Sequence, residues 1–324
     1  MDDLSSGTLE NIRPLLSNRL CTFIHSNVQT CKDLVEIVDS TDVVFHLAAT
    51  VGVLNVLRDP LYTIRNNTTS THAVLEAAAH KKRKVVVAST SEVYGKSMKA
   101  PLQEEDELVL GATTKPRWSY AASKIVGEFS ALAWHEEKQL PVVITRLFNT
   151  IGPRQTGKYG MVVPRFLTQA LRRENLTVYG TGKQSRCFTY VADTVEWLVC
   201  LSETASAVGQ VFNVGNPEET TIQALAELVI HVTGVQTGIS YVPYESAYSQ
   251  QFEEPERRVP DITKLQSITH CSPRVQLREA LVRTRDWFIS NPSRLIENPP
   301  GTQRVSEGSS EAGGSQVHVR PPAL

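Results

Sequence analysis

The sequence predicts an α/β protein, a doubly wound parallel sheet with helices on both faces, joined to a smaller α/β lobe. Two observations carry this. Short apolar, β-branched runs alternate with longer helical patterns, which implies βαβ units and a parallel sheet. A second, shorter alternation follows from about Asn149. The first set of runs is Leu20–Ile24, Asp42–Ala48, Lys84–Ala88 and Pro141–Leu147. Between them lie the helical patterns Cys31–Asp39, Thr63–His80 and Tyr120–Lys138. The second set reads as a helix over Val162–Arg173, a strand over Leu176–Tyr179 and a helix over Ala192–Glu203. It continues with a strand over Gln210–Val214, a helix over Thr221–Val232 and a Pro-rich, aromatic loop over Val242–Pro260. From Pro292 the chain turns rich in Pro, Gly and Ser and loses periodicity, so residues 292–324 are expected to be a disordered tail.

The totals bound the function. A chain of 324 residues can bury a substantial core. Its 33 Lys and Arg against 34 Asp and Glu argue against a general nucleic-acid or membrane-surface binder, and leave room for a local basic pocket. No apolar run approaches a membrane span, and the acidic start Met1–Gly7 lacks the apolar core of a signal peptide, so a cytoplasmic protein is expected. The five cysteines form no C-x-x-C pair, and neither a disulfide framework nor a metal site is expected.

Chemistry concentrates at three places. Tyr120 and Lys124 stand four apart on a predicted helix and share one face. An ammonium beside a phenol favours the phenolate, which makes a tyrosine usable as a general base. The spacing alone fits a chance pair on a solvated face equally well. Context adds to it. The strand Lys84–Ala88 runs directly into Ser89-Thr90-Ser91-Glu92. Catalytic groups in open α/β sheets sit at the carboxyl ends of strands. A hydroxyl there could bond a substrate oxygen, and Glu92 offers an acid, a base or a water-positioning group; an ordinary strand-end turn is the plainer reading. The third place is Asp42–Ala49, a buried-strand pattern ending in small residues that would let a flat cofactor approach the backbone. Within it, His46 reads as a satisfied core histidine.

These three elements, in this order, resemble the extended short-chain dehydrogenase/reductases, the NAD-dependent nucleotide-sugar epimerases and dehydratases. Further segments match: Arg146–Arg154, Leu176–Gly182, Ser185–Asp193, Phe212–Asn216 and Arg257–Asp261. The resemblance covers roughly residues 1–290. It implies a Rossmann-like NAD-binding domain over 1–150 and a nucleotide-sugar-binding lobe over 151–291, with some segments returning to the first domain. It implies Tyr120 as the base, Lys124 tuning it and holding the nicotinamide ribose, Thr90 bonding the sugar hydroxyl and Glu92 assisting. NAD would also meet Asp2, Asn27, Val28, Leu47, Ala48, Ala49 and Asn67. The UDP-sugar would meet Asn149, Val163, Tyr179, Arg186 and Arg258. Forked guanidinium donors match phosphate oxygens, which suits the two arginines to the pyrophosphate. A homodimer through the Thr63–His80 and Tyr120–Lys138 helices is implied as well. Val126, Phe129, Leu132 and Ala133 are consistent with it, and with packing inside one chain.

Two departures from the family pattern stand out. The N-terminal strand and its G-x-x-G-x-x-G loop are absent, and Met1–Gly7 resembles the end of the second strand, where Asp2 would meet the adenosine ribose. The Rossmann-like sheet is thus expected to be N-terminally truncated by roughly thirty residues, judged by the usual spacing of that fingerprint. A reading frame that starts upstream is one explanation, and a non-catalytic binding module is an alternative of another class. Asn27 stands where the family usually has an Asp that meets the adenine.

For the reaction, Ser91-Glu92 replaces the Asp-Glu pair of the dehydratases, which disfavours water loss. Thr90-Ser91-Glu92 with Arg258-Val259-Pro260-Asp261 is most similar to UDP-glucuronate decarboxylases. Tyr120–Lys124 and the lobe are equally at home in UDP-glucose or UDP-glucuronate 4-epimerases. Either route passes through a 4-keto sugar.

Overall fold

The computed structural model describes residues 1–247, 253 and 255–296. Its centre is a parallel sheet. The chain enters it through α1 (Leu34–Asp39) and β1 (Val43–His46), then passes α2 (Val53–Arg58), α3 (Pro60–Ala79), β2 (Lys84–Thr90), α4 (Trp118–Lys138) and β3 (Val142–Leu147). It continues through β4 (Thr150–Ile151), α5 (Val162–Leu171), β5 (Leu176–Tyr179), β6 (Ser185–Cys187), β7 (Thr189–Tyr190) and α6 (Val191–Glu203). Then follow β8 (Gln210–Val214), β9 (Glu219–Thr221), α7 (Ile222–Thr233), β10 (Ile239–Val242) and α8 (Tyr244–Ala247). The last helices are α9 (Thr263–Thr269), α10 (Leu277–Ser290) and α11 (Ser293–Ile296). The sheet order is β1-β2-β3-β8, with every pairing parallel.

Period-two alternation explains why both faces are covered. Val85, Val87, Val142 and Ile144 point to one side, where Val74, Leu75 and Ala78 of α3 and Ala131 of α4 meet them. Val86 and Val143 point to the other, against Trp197, Leu198 and Leu201 of α6 and Ile262 and Leu265 at α9. A separate core belongs to the lobe. There α5, β5, α7 and α10 bring together Phe166, Leu167, Leu176, Val178, Leu225, Val229, Leu281 and Phe288. β10 pairs in parallel with β5 beside it.

Two expectations are corrected. Leu20–Ile24 is not a strand. Among the described residues only Asp2 lies alongside, through Asp2 N–H to Ile24 O at 3.2 Å and Ser26 N–H to Asp2 O at 3.2 Å. With so little ladder the apolar run stays open, and Leu20 is 94% exposed. Residues 293–296, expected within the tail, form α11. Residues 297–324 lie outside the described residues, as does part of the aromatic loop.

A buried polar network braces the sheet. Arg146 on β3 donates to Glu128 of α4 through Nη2 at 2.8 Å and Nε at 3.0 Å, and through Nη1 to Tyr94 Oη at 3.1 Å and Glu104 O at 2.8 Å. Tyr94 Oη donates to Asn213 Oδ1 on β8 at 2.7 Å, and Ser89 on β2 donates to Glu128. Each charge is satisfied by several partners, as burial demands. No helix among the described residues is long and apolar enough to cross a membrane.

Candidate active site

Strand β2 ends in Ser89 and Thr90 and turns at once into a short 3-10 segment, Ser91–Tyr94. Thr90 is the hinge. Its side-chain oxygen accepts from Glu92 N–H at 3.2 Å, and its hydroxyl hydrogen-bonds the phenol of Tyr120. The turn closes on Gly95, at φ 60°, where an added Cβ would lie 2.2 Å from Val109 O. Only glycine fits there.

Helix α4 starts at Trp118, just after Pro116-Arg117, so Tyr120 lies in its first turn and Lys124 one turn on. Lys124 reaches under β2: its Nζ donates to Ala88 O at 2.8 Å. Burial lowers Lys124 to about 8, with the charge of Glu128 opposing. The expected tuning of Tyr120 by Lys124 is corrected here. Burial and then the charge of Glu92 push the Tyr120 phenol above its ordinary value, and the hydrogen bond from Thr90 and the charge of Arg258 pull it back in part. Thr90 and Arg258 are therefore the groups that favour the phenolate. His46 is buried, bonded to Thr71 Oγ1 at 3.0 Å, and held neutral by burial and by Lys124.

Glu92 lies between two arginines, with Arg117 Nη1 at 3.0 Å from one oxygen and Arg258 Nη1 at 3.1 Å from the other. Burial would raise its carboxyl; Arg117 and Arg258 outweigh that and hold it at about 2. Glu92 is thus a carboxylate at neutral pH. The loop carrying Arg258 is pinned by Leu102, which donates to Val259 O at 2.7 Å and accepts from Asp261 N–H at 2.8 Å. Arg186 on β6 is buried nearby. Burial and then the charge of Arg258 lower it to about 9.

Some of these groups, though neither Thr90 nor Lys124, line a pocket of about 240 Å³ between the sheet and the lobe. Tyr120, Glu92, Arg117, Arg186 and Arg258 form its charged end, with Asn149, whose Nδ2 donates to Cys187 O at 3.0 Å. Tyr179 also lines it, under the Arg165 guanidinium, 4.2 Å from ring centre. The lining holds four arginines, Arg117, Arg165, Arg186 and Arg258, whose forked donors suit phosphate oxygens.

The structure moves some expected residues. Val163 is core, packed with Phe166 and Leu167, and its neighbour Val162 lines the pocket instead. Helix geometry turns one residue out where the next turns in. Asn67 is buried and committed: its Oδ1 accepts from Thr50 N–H at 2.7 Å and its Nδ2 donates to Ser123 Oγ at 3.1 Å. It therefore fixes the turn after β1 against α4. Asn27 is tied to Asp3 at 2.8 Å, the Asp2 carboxylate accepts from Leu4 N–H at 2.7 Å, and Val28 packs against the core. Leu47 and Ala48 are exposed and Ala49 half-buried at the carboxyl end of β1. Arg117 and Arg165 were not foreseen. Arg117 had a signal in its position three residues before Tyr120, at the start of the helix.

A parallel sheet with a Tyr–Lys pair at the carboxyl ends of its strands, facing a basic pocket, defines a dehydrogenase-like enzyme of the Rossmann class. The sequence profile of the NAD dependent epimerase/dehydratase family matches residues 2–215, and this chain belongs to that family. It is 42% identical over 264 residues to a UDP-N-acetyl-alpha-D-glucosaminuronate decarboxylase of Bacillus cytotoxicus, covering 81% of this chain and 80% of that one. It is 35% identical to UDP-glucuronic acid decarboxylase 1 of Danio rerio, covering 82% of this chain and 60% of that enzyme's length. Among solved structures it resembles UDP-glucuronic acid 4-epimerase of Bacillus cereus in complex with UDP-glucuronic acid and NAD, at TM-score 0.78 and 29% identity, covering 87% and 86% of the two chains.

The residues present suit the nicotinamide-ribose half of NAD. β1 pairs with β2 as far as His46 with Val87, next in sequence to Ala88, whose carbonyl holds Lys124. The Leu47–Ala49 strip follows directly at the open end of β1. Among the described residues no glycine-rich turn joins a strand to a helix at the free edge of β1, so they supply no pyrophosphate cradle of the kind dinucleotides use.

Proposed function

We propose that this chain acts on a UDP-sugar bearing a carboxylate at C6 and decarboxylates it through a 4-keto intermediate, with UDP-glucuronate and its 2-acetamido analogue as the substrate class. One observation carries the reading: the Arg117–Glu92–Arg258 cluster beside Tyr120, at the basic end of the pocket. Tyr120 takes the proton of the C4 hydroxyl, oriented by Thr90. Bound NAD supplies the acceptor for the C4 hydride and would be held by Lys124, Tyr120 and the Leu47–Ala49 strip. The ketone at C4 lies β to the C6 carboxylate, so the C5–C6 bond can break with its electrons delocalised into the C4 oxygen. Carbon dioxide leaves, C5 takes a proton from solvent, and C4 regains the hydride from the reduced cofactor while Tyr120 returns the proton to the C4 oxygen, so the product is a UDP-pentose and NAD is regenerated. Glu92, held ionised, keeps Arg117 and Arg258 in place. Arg186 and Arg258 would grip the pyrophosphate, Asn149 a phosphate oxygen, and Tyr179 would pack on the base.

The dimer belongs to the same proposal. α3 and α4 pack together, and their outer faces leave Leu61, Ile64, Val126 and Phe129 exposed, Phe129 by 68%. Such a face suits a second copy of the same helices.

The test is incubation of the full chain with NAD and, separately, UDP-glucuronate and UDP-N-acetylglucosaminuronate, followed by NMR of the nucleotide sugar. A pentose product with release of carbon dioxide supports the proposal. A galacto-configured acid with no gas makes the chain a 4-epimerase, and no turnover with no NAD retained makes it a binding module.

A further inference from the structure

Helix α6 presents Asp193, Glu196 and Cys200 at spacings of three and four, along one face. All three meet the chain that follows α9. Asp193 Oδ2 accepts from Arg274 N–H at 3.1 Å and Val275 N–H at 3.0 Å. Glu196 pairs with Arg274 at 2.6 Å. Cys200 Sγ lies 3.3 Å from Cys271 Sγ. Two of these contacts are polar clamps, and they hold the two sulfurs in register although 71 residues separate them in sequence. Closing a disulfide needs a sulfur–sulfur distance of about 2 Å, a movement of little more than an ångström from where the atoms stand. Accessibility is divided between the two. Cys271 is buried and Cys200 is half-buried, at the rim.

We propose that Cys200 and Cys271 form a dithiol site that small-molecule disulfides such as oxidised glutathione convert to an intramolecular disulfide. The Cys200 thiolate attacks one sulfur of the glutathione disulfide and expels one glutathione thiolate, leaving a mixed disulfide on Cys200. The Cys271 thiolate then attacks the Cys200 sulfur and expels the second glutathione. The protein loses two thiol hydrogens and two electrons; the two protons and two electrons pass to the glutathiones. Because the second step is intramolecular, the burial of Cys271 does not block it. The bond would fasten α6 to the segment behind α9, the helix that follows the Arg258 loop.

The experiment treats the full chain with oxidised glutathione at mildly alkaline pH, quenches in acid, and blocks remaining thiols with N-ethylmaleimide before peptide mass spectrometry. The expected result is a peptide pair joined through Cys200 and Cys271, with two fewer alkylated cysteines. Cys271→Ser should instead retain one glutathione on Cys200. Wild-type chain that keeps glutathione on Cys200 with no joined peptide overturns the proposal, and so does maleimide on both cysteines after prolonged oxidation.

Discussion

Lys124 Nζ donates to the carbonyl oxygen of Ala88 at 2.8 Å, which fastens helix α4 to strand β2 two residues before Thr90. The bond anchors the ammonium at the strand end, so Lys124 sets position there. It has a consequence for stability. Lys124 is depressed to about 8 from 10.5. Between those values the unfolded chain holds a proton that the folded chain has released, so wild-type stability rises with pH there. Lys124→Met lacks this term. The difference in unfolding free energy between the two should shift in favour of wild type by about 1.4 kcal/mol per pH unit from pH 8 to 10.5. Urea unfolding across that range measures it, and parallel curves for the two proteins would disprove the depressed lysine.

Tyr120→Phe should keep the fold and lose turnover by about 10²–10⁴-fold, the usual worth of a positioned base. Because burial and Glu92 raise the phenol, wild-type turnover should climb through the neutral and into the alkaline range. Thr90→Val removes a hydrogen bond that favours the phenolate, and so should move that climb to higher pH. Initial rates with saturating UDP-sugar and NAD across pH 6–10 read both effects.

How much of this was legible in the residues depended on locality. β2 and β5 were readable because their β-branched runs are bounded by turn residues, and α4 because its apolar spacing is regular. Tyr120, Thr90 and Lys124 lie at local landmarks, a strand end and a helix start. What failed was long-range. The apolar pattern of Leu20–Ile24 does not reveal that, among the described residues, only Asp2 pairs alongside it. Val162 and Val163 are indistinguishable in type, and only the packing of α5 decides which one faces the pocket. The ionisation of Glu92 depends on Arg117 and on Arg258, 166 residues further along the chain than Glu92, so no local pattern could assign it.

Glu92 should act through its charge. It is held at about 2, against 4.5 for an ordinary glutamate, and its side chain is largely shielded. A depressed carboxylate contributes stability that is complete above pH 4.5 and is lost as pH falls toward 2. Glu92→Gln lacks that contribution and leaves two buried guanidinium groups facing a neutral amide. Its stability deficit against wild type should therefore shrink by about 1.4 kcal/mol per pH unit as pH falls below 4.5. Thermal unfolding at pH 5, 4 and 3.5 tests this; a deficit that does not change with pH would place the carboxylate outside the arginine pair.

Arg186→Ala and Arg258→Ala should separate binding from support. Arg186 lines the pocket and bonds the backbone carbonyl of Ser185 at 2.6 Å, so its loss should weaken UDP binding by about 10–100-fold, the cost of a charge-assisted bond or two, with turnover at saturation less affected. Arg258→Ala should cost both, because it also leaves Glu92 with one partner. Calorimetry with UDP alone, beside steady-state kinetics, resolves the two patterns. Arg258→Lys should recover little, since an ammonium cannot reproduce the fork.

The Arg146–Glu128 pair is the buried counterpart of that cluster and should behave as structure. Both side chains are almost wholly enclosed, and Arg146 also reaches Tyr94 and Glu104. Arg146→Met strips Glu128 of its main counter-charge in a site closed to water, and should cost about 3–5 kcal/mol. Glu128→Leu strands the guanidinium and should cost a similar amount. The double variant leaves no unpaired charge, while Tyr94 keeps its bond to Asn213. It should therefore lose much less than the sum of the single losses, a coupling of at least about 1 kcal/mol in urea unfolding. Additive losses would mean that each side chain acts through separate neighbours and that the pair contributes nothing as a pair. Because Glu128 opposes the depression of Lys124, any variant lacking it should also carry a lysine that releases its proton at lower pH, which the pH scan of the Lys124 experiment detects in the same samples.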